Sequence, residues 1–434
     1  MKMLSLNLWY EKYGNKTRAQ LKSFRRLGFS THVATIVDGP KLVIYDISDA
    51  ESTVIWEKNC SSYKSAFRCL RDYCIRVRYD IIYIRRLMSK LLYALPFIKG
   101  VSKVTPLVYE IPTYPLDTGN NFLYAVRDFL EFKIYKLVNP FIKMTLVNLI
   151  DDISIPENWT IFHNGIDIDN YDVPEMGGPK VGTPEIGELD RGVLEKDLLG
   201  DTIKFIMVAN ISEYHHYERM LYAMKEYVGR CNAVAGSDGN GRDCSAEYCV
   251  NGDGGCSSNV NGRASDWADG NSSAVSDNYR ISLTVISPDS PAYDSLKRLA
   301  TELGIAEYIT FLGSLPIAEI QKLANSCHIG VGQLSDSSKG SNLVNTLKSK
   351  DYCAMGIPFF STCYDTSFEK DFPYIFVTED MDSDIDLSEV IGWFLEINKD
   401  PAYRQRMYDF AKENLQYDSL AREIVEKCGV NVVH

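Results

Sequence analysis

The residues best placed to do chemistry share one stretch, Ser338–Phe360, which reads SKGSNLVNTLKSKDYCAMGIPFF. A Ser/Gly entry carries Lys339 and Gly340, and the spacing of Leu343, Leu347 and Met355 predicts a helix over the residues that follow. Gly356 and Pro358 end that helix, and Phe359-Phe360 open a buried strand. A helix N-terminus behind a small-residue loop suits a phosphate, because its free N–H groups and dipole favour an anion. Asp351 falls in the last turns, where the dipole favours cations. A carboxylate kept there is suited to accept hydrogen bonds from ligand hydroxyls. A solvated Asp on an amphipathic helix is the competing reading, and the pattern alone does not separate the two.

Three further stretches carry polar groups at strand exits. Glu110-Ile-Pro-Thr-Tyr-Pro115 is an expected loop held stiff by two prolines around Thr113 and Tyr114, which suits a preorganised site; a rigid strand exit with Tyr114 packed in the core is the alternative. His163-Asn-Gly-Ile-Asp167 contains a strong turn signal. Tyr214-His-His-Tyr-Glu-Arg219 follows the apolar run IKFIMVAN, and its adjacent histidines are a weak metal signal. Asp167-Ile-Asp169 and Asp384-Ile-Asp386 spell a D-x-D pattern that acidic chains produce by chance, and no metal is assigned to either. No G-x-G-x-x-G follows the first strand, which counts against a nicotinamide-dependent oxidoreductase.

The elements that must position these groups alternate between strand and helix. Strands are expected at 3–9, 31–37, 41–47, 79–86, 143–149 and 159–163, 104–115 reads as a strand running into the Pro-punctuated loop, and helices end near Gly28 and span 62–77 and 120–138. A second series has strands at 203–210, 280–287, 309–313 and 328–334 with helices at 291–303 and 316–325. Such alternation implies parallel sheets covered by helices, with ligands at the carboxyl ends of strands. Gly14, Arg85 and the Glu110–Tyr114 stretch fall there. The division is 1–165, a linker 166–200, a second domain 201–400, and a terminal helical segment 401–434. Residues 229–278, rich in Gly, Ser, Asn and Asp, are expected as a disordered surface insertion. Its cysteines lack C-x2-C spacing, so zinc is a minor reading.

Length and charge bound the function. A chain of 434 residues exceeds one ordinary core. No apolar run reaches bilayer-spanning length and no secretory stretch opens the chain, so a cytoplasmic location is expected. Eleven cysteines, an odd count, fit reduced thiols. Residues 1–150 hold 23 Lys and Arg against 12 Asp and Glu, net +11, while the remainder holds 23 against 46, net −23. A basic first half suggests an anionic partner for that half, a membrane surface or a phosphorylated acceptor. Nucleic acid is disfavoured, since no recognised motif accompanies the charge.

The block Asp351-Tyr-Cys-Ala-Met-Gly-Ile-Pro358 resembles the donor-binding helix of glycosyltransferase family 4, in which an acid before Ala-Met-Ala-x-Gly-x-Pro holds the ribose of a sugar nucleotide. Lys339-Gly340, Leu347-Lys348, Asp351-Tyr352 and the 110–115 stretch resemble a bacterial surface-polysaccharide subgroup. The family's first acid falls at Leu343 here, a departure from its Glu-x7-Glu pattern. The resemblance implies a GT-B fold, two Rossmann-like domains facing a cleft, with Asn164-Gly-Ile-Asp167 at the crossover and a terminal helix returning to the first domain. It implies a retaining, metal-independent glycosyltransferase with no cofactor. His215, Arg219, Lys339, Gly340 and Lys348 would meet the donor diphosphate, and Asp351 the ribose. Glu110 and Lys348 would be the catalytic candidates, and Gly14, Thr113 and Tyr114 would face the acceptor. Partners would be a nucleotide-sugar and a glycan or polyprenyl-diphosphate-linked acceptor at the inner membrane face, in capsule or exopolysaccharide synthesis. A catalytically silent module binding nucleotide or a partner protein is the alternative from another class.

Overall fold

The computed structural model describes residues 1–431 apart from 38–39, 49–51, 115–121, 150–154, 158, 175–201, 213–214, 237–278, 338–340 and 379. The first domain runs β1 (Lys2–Leu6), α1 (Tyr10–Arg26), β2 (Ser30–Val37), β3 (Lys41–Ile47), β4 (Ser52–Asn59), α2 (Tyr63–Val77) and β5 (Ile81–Arg85). It continues through α3 (Leu91–Val101), β6 (Leu107–Tyr114), α4 (Phe122–Val138), β7 (Met144–Leu149) and β8 (Trp159–Ile161). Its sheet has the order β4-β3-β2-β1-β5-β6-β7-β8. The runs that form its centre are apolar at nearly every position, as strands covered on both faces must be; Ile81–Ile84 are all buried.

The second domain begins at β9 (Thr202–Val208) and continues with α5 (Glu218–Gly236), β10 (Arg280–Ile286), α6 (Pro291–Glu302), β11 (Ile309–Leu312), α7 (Ile317–Asn325) and β12 (Ile329–Val331). After β13 (Leu343–Val344) come α8 (Leu347–Ala354), β14 (Phe359–Ser361), β15 (Tyr364–Asp365), β16 (Ile375–Val377) and α9 (Leu387–Ile397). Helices α10 (Tyr403–Asn414) and α11 (Asp418–Lys427) follow. The sheet order is β11-β10-β9-β12-β14-β16, parallel throughout, and β13 pairs with β15 alone.

Each sheet reverses its winding at one strand. β1 lies between β2 and β5, and β9 between β10 and β12. The carboxyl ends there open a crevice between diverging connections, the place where open α/β sheets bind ligands. The chain's end ties the domains together. Tyr403, Met407 and Ala411 of α10 pack in the second core, whereas Ala421, Ile424 and Val425 of α11 pack with Leu21 and Phe24 of α1 in the first.

Several expectations change. β2, β3 and β4 form an antiparallel meander at the edge of the otherwise parallel first sheet, so that strand run is not all βα alternation. Gly14 lies inside α1 rather than in a loop, because the helix begins four residues earlier, at Tyr10. The 110–114 stretch is strand, not loop: β6 continues through Pro112, which a register irregularity between Ile111 and Tyr114 accommodates. Leu343 sits in β13, and the helix expected to include it starts at Leu347, where Thr346 caps it by accepting from Ser349 N. The 401–428 segment is two helices. The expected insertion begins with helix, since α5 reaches Gly236; its remainder, 237–278, lies outside the described residues, as do Lys339, Gly340 and most of the linker. Eight cysteines fall among the described residues, and none of these is in a disulfide. No described helix is long and apolar enough to cross a membrane.

Candidate functional site

Helix α8 divides its polar groups between two faces. Lys348 and Asp351, one turn apart, share the face that remains partly open, with Leu347 beside them. Lys350 points the other way and is wholly buried. Its ammonium donates to Asn345 Oδ1 at 2.9 Å and to the Thr346 carbonyl at 2.9 Å, and lies 3.4 Å from Asp365 Oδ1. Burial lowers its pKa, and the Asp365 charge opposes that. Asp365 also accepts from Thr346 N at 3.1 Å and Ser367 N at 3.0 Å. Lys350 thus fixes the entry to α8, a role its sequence context did not suggest.

The open face is electrostatically poised. Burial lowers the Lys348 pKa to about 7, although Cys363 and Asp351 pull it upward. Its ammonium donates to Tyr217 Oη and lies 4.8 Å from that ring's centre. Burial raises the Asp351 pKa to about 6, against a Tyr171 hydrogen bond and the charges of Lys350 and Lys348. Tyr171 Oη donates to Asp351 Oδ1 at 2.6 Å. His215 stacks on Tyr217 with ring centres 5.2 Å apart, held by a 2.8 Å contact of its Nδ1 with Ser212 Oγ. His215, Tyr217, Lys348 and Asp351 therefore meet beyond the carboxyl end of β9, at the second sheet's switch point.

Arg219 is engaged by the main chain of its own domain. Its guanidinium donates to the carbonyls of Leu334 at 2.9 Å, Ser335 at 3.3 Å and Ser383 at 2.5 Å, pinning the segment after β12. The Met355-Gly-Ile-Pro358 glycine is structural: Gly356 has φ +66°, and a Cβ there would lie 2.9 Å from both the Arg404 carbonyl and Pro174.

The first domain presents a different cluster at its own switch point. Glu110 is 0 % exposed and accepts from Lys16 Nζ at 3.1 Å, Tyr83 Oη at 2.6 Å and Gln20 Nε2 at 3.3 Å. Burial alone would raise its pKa, but the charges of Lys16 and Arg85 and the Tyr83 hydrogen bond hold it at about 2. A carboxylate so held fixes Lys16 and Tyr83 and is no proton acceptor near neutral pH. Arg85 Nη1 and Tyr417 Oη, among the described residues, are buried without hydrogen-bond partners. Burial lifts the Tyr417 phenol far above its usual range, and the charges of Glu110 and Asp351 act in the same direction. Lys16 in turn feels Lys350. The two clusters thus face one another across Tyr417. Tyr114 packs its ring 5.4 Å from Trp159 and 6.2 Å from Phe132, an aromatic core contact. The Thr113 side chain lies outside the described part.

The crossover binds both domains. Asn164 N donates to Asn345 Oδ1 at 3.2 Å, Asn164 Nδ2 to the Asn345 carbonyl at 2.9 Å, and Asn345 Nδ2 contacts His163 Nδ1 at 2.9 Å. A Cβ on Gly165 would meet Tyr417 N at 2.9 Å. Asp167 and Asp169 pair with Lys22 at 2.9 and 2.7 Å and with Arg26 at 3.4 and 3.0 Å, so this D-x-D clamps the crossover to α1. Sequence reasoning missed Lys350, Tyr171, Tyr217 and Asn345. Tyr217, Asn345 and Lys350 lay in quoted stretches without a signal of their own, and Tyr171 lay outside them.

No protein-family model matches the chain, and no curated protein matches its sequence. Its fold is similar to that of a sucrose-phosphate synthase from Thermosynechococcus elongatus, at 9 % identity and TM-score 0.56, covering 98 % of each chain. It is similar also to the catalytic domain of starch synthase IV from Arabidopsis thaliana bound to ADP and acarbose, at 8 % identity and TM-score 0.56, over 99 % of this chain and 98 % of that one. A trehalose-6-phosphate protein from E. coli bound with UDP-2-fluoro glucose matches at 10 % identity and TM-score 0.54, over 99 % of each. These likenesses show the two-domain GT-B fold.

Proposed function

We infer that this chain is a glycosyltransferase that moves a sugar from a nucleotide-sugar donor to a glycan or a polyprenyl-diphosphate-linked acceptor. The observation that carries the reading is the pairing of Lys348 and Asp351 on the one open face of α8, at the switch point of the second sheet. Asp351 receives the ribose hydroxyls in place of Tyr171, and Lys348 with His215 meets the diphosphate. As the bond from anomeric carbon to diphosphate breaks, the acceptor oxygen forms the glycosidic bond and its proton passes to the departing diphosphate. An ammonium near half-protonation gains a proton when a diphosphate arrives, so its charge is restored where negative charge grows. Glu110 acts as a positioning residue: it holds Lys16, which with Arg85 faces the acceptor's anionic group. Lys339 and Gly340 complete the diphosphate contacts in this proposal.

The resemblance to glycosyltransferase family 4 and to its surface-polysaccharide subgroup supports the finer reading: retention of configuration, no metal cofactor, and capsule or exopolysaccharide synthesis at the inner membrane face. That two structural neighbours carry ADP and a UDP-sugar analogue in their solved forms supports a nucleotide-sugar donor. The test is a thermal-shift panel of UDP-, ADP- and GDP-sugars, followed by donor hydrolysis. A donor at a hundred times its Kd stabilises by about 2.7 kcal/mol. A panel with no shift and no hydrolysis would overturn the reading; a shift without any turnover would mark a silent binding module.

A further inference from the structure

The outer faces of α2, α3 and α4 form a surface that the candidate site does not use. All three helices cover one face of the first sheet, since Phe67, Phe97 and Tyr135 share a core. Their opposite sides point outward together. α4 carries apolar side chains on both sides. Inward it buries Tyr135 and Val138, while outward Phe129, Leu130 and Leu137 are 61 %, 54 % and 58 % exposed. With Val126 and Lys133 these form a stripe at i, i+3, i+4, i+7 and i+11, the spacing of a helix face that has a partner. Nothing in the described chain covers it.

Cations border the stripe. Lys133 Nζ lies 5.0 Å from the Phe129 ring centre, and Lys136 is exposed beside Leu137. α3 repeats the pattern, with Leu92 and Tyr93 outward and Lys99 and Lys103 exposed further along. α2 adds exposed Lys64, Arg68 and Arg76. Among the described side chains of the three helices the exposed acid is Asp72, paired with Arg71 at 2.7 Å.

We propose that this three-helix face docks on an anionic lipid bilayer, its Phe and Leu tips entering the acyl boundary and its Lys and Arg heads at the phosphates. Apolar side chains interleaved with flexible cations match that interface, which is apolar below and anionic above. A nucleic acid offers phosphates but no acyl boundary for Leu130 and Leu137. A second copy would bring one cationic face against another, because a two-fold contact is self-complementary. The proposal rests on the reading of a lipid-linked acceptor, for which it fixes the membrane-facing side.

The test is cosedimentation of the full chain with phosphatidylcholine vesicles, with and without phosphatidylglycerol, at low and high salt. The parent binds the anionic vesicles, and high salt weakens that binding about tenfold or more. Phe129→Ser/Leu130→Ser and Lys133→Glu/Lys136→Glu each weaken it about tenfold or more, while Lys399→Glu in the acidic second domain leaves it unchanged. Variants that bind like the parent, a parent that ignores anionic lipid or salt, or a dimer that the same variants dissolve would overturn the proposal. The sugar-nucleotide thermal shift, measured on the same variants, keeps folding and donor binding in view. A parent that such a donor protects but that ignores vesicles overturns this surface alone. A parent that binds vesicles but responds to no donor overturns the glycosyltransferase reading alone.

Discussion

The two charged clusters that meet across Tyr417 are built on opposite terms. In the first domain Glu110 is sealed, hydrogen-bonded on both oxygens and held near pKa 2. In the second, Asp351 and Lys348 are half-buried, sparsely partnered and pushed to about 6 and about 7, each toward its neutral form. A fully paired carboxylate stabilises the fold and has little left to offer a ligand. A pair whose charges lack compensation destabilises the fold and gains most when a ligand supplies partners. Removing the first cluster should therefore damage stability, and removing the second should damage binding.

The largest effect is expected from Glu110→Gln, which leaves Lys16 and Arg85 buried beside a neutral amide. Loss of one partner from a buried pair costs about 3–5 kcal/mol, read as a lower urea midpoint. The sign with pH follows from the depressed folded pKa: the Glu110 contribution is present above about 4.5 and is lost as pH falls toward 2, on the order of 3 kcal/mol in all. A parent whose acid unfolding matches that of the Gln variant would break this half of the comparison. Lys350→Met strands Asp365 in the same way and should cost about 3 kcal/mol or more, with a further loss of order at the Asn345–Asn164 hinge. A parent-like melting temperature would show that Lys350 is dispensable.

Legibility in the sequence follows the same division. Runs such as Thr202–Val208 and Ile81–Arg85 announce buried parallel strands because both faces are covered, so apolar residues are continuous. Ser52–Asn59 gave no such signal: an exposed edge strand needs no apolar face, and its residues are mostly outward. Leu343-Val344 is too short to show a period, and two leucines four apart mimicked a helix. Lys348 and Asp351 were found through a motif. Lys350 was not, since a lysine flanked by Lys348 and Asp351 within two residues reads as surface until Asp365, fifteen residues on, folds against it. Tyr171 meets Asp351 from 180 residues away, a contact no local pattern encodes.

Smaller effects sharpen the second half. Donor affinity should peak between pH 6 and 7, since Asp351 loses its charge below about 6 and unliganded Lys348 loses its own above about 7. Each limb should fall up to about tenfold per pH unit, measured by calorimetric titration. A flat profile from pH 5 to 8 would mean that neither group touches the donor. Tyr171→Phe removes the hydrogen bond that Asp351 accepts, so donor affinity should rise slightly, by about 0.5–1.5 kcal/mol at most; weaker binding would make Tyr171 part of the site rather than its stand-in.

The most direct measurement titrates the donor found in the panel into the parent, Asp351→Asn and Lys348→Ala, with unfolding free energies taken on the same samples at pH 7. Asp351→Asn should unfold no more easily than the parent yet bind donor more weakly by about 1.5–3 kcal/mol, the worth of hydrogen bonds to a charged acceptor. Lys348→Ala should lose more in turnover at saturating donor than in affinity, because its charge counts most as the diphosphate departs. Parent-like donor binding and turnover in both variants would contradict the placement of the donor on this helix.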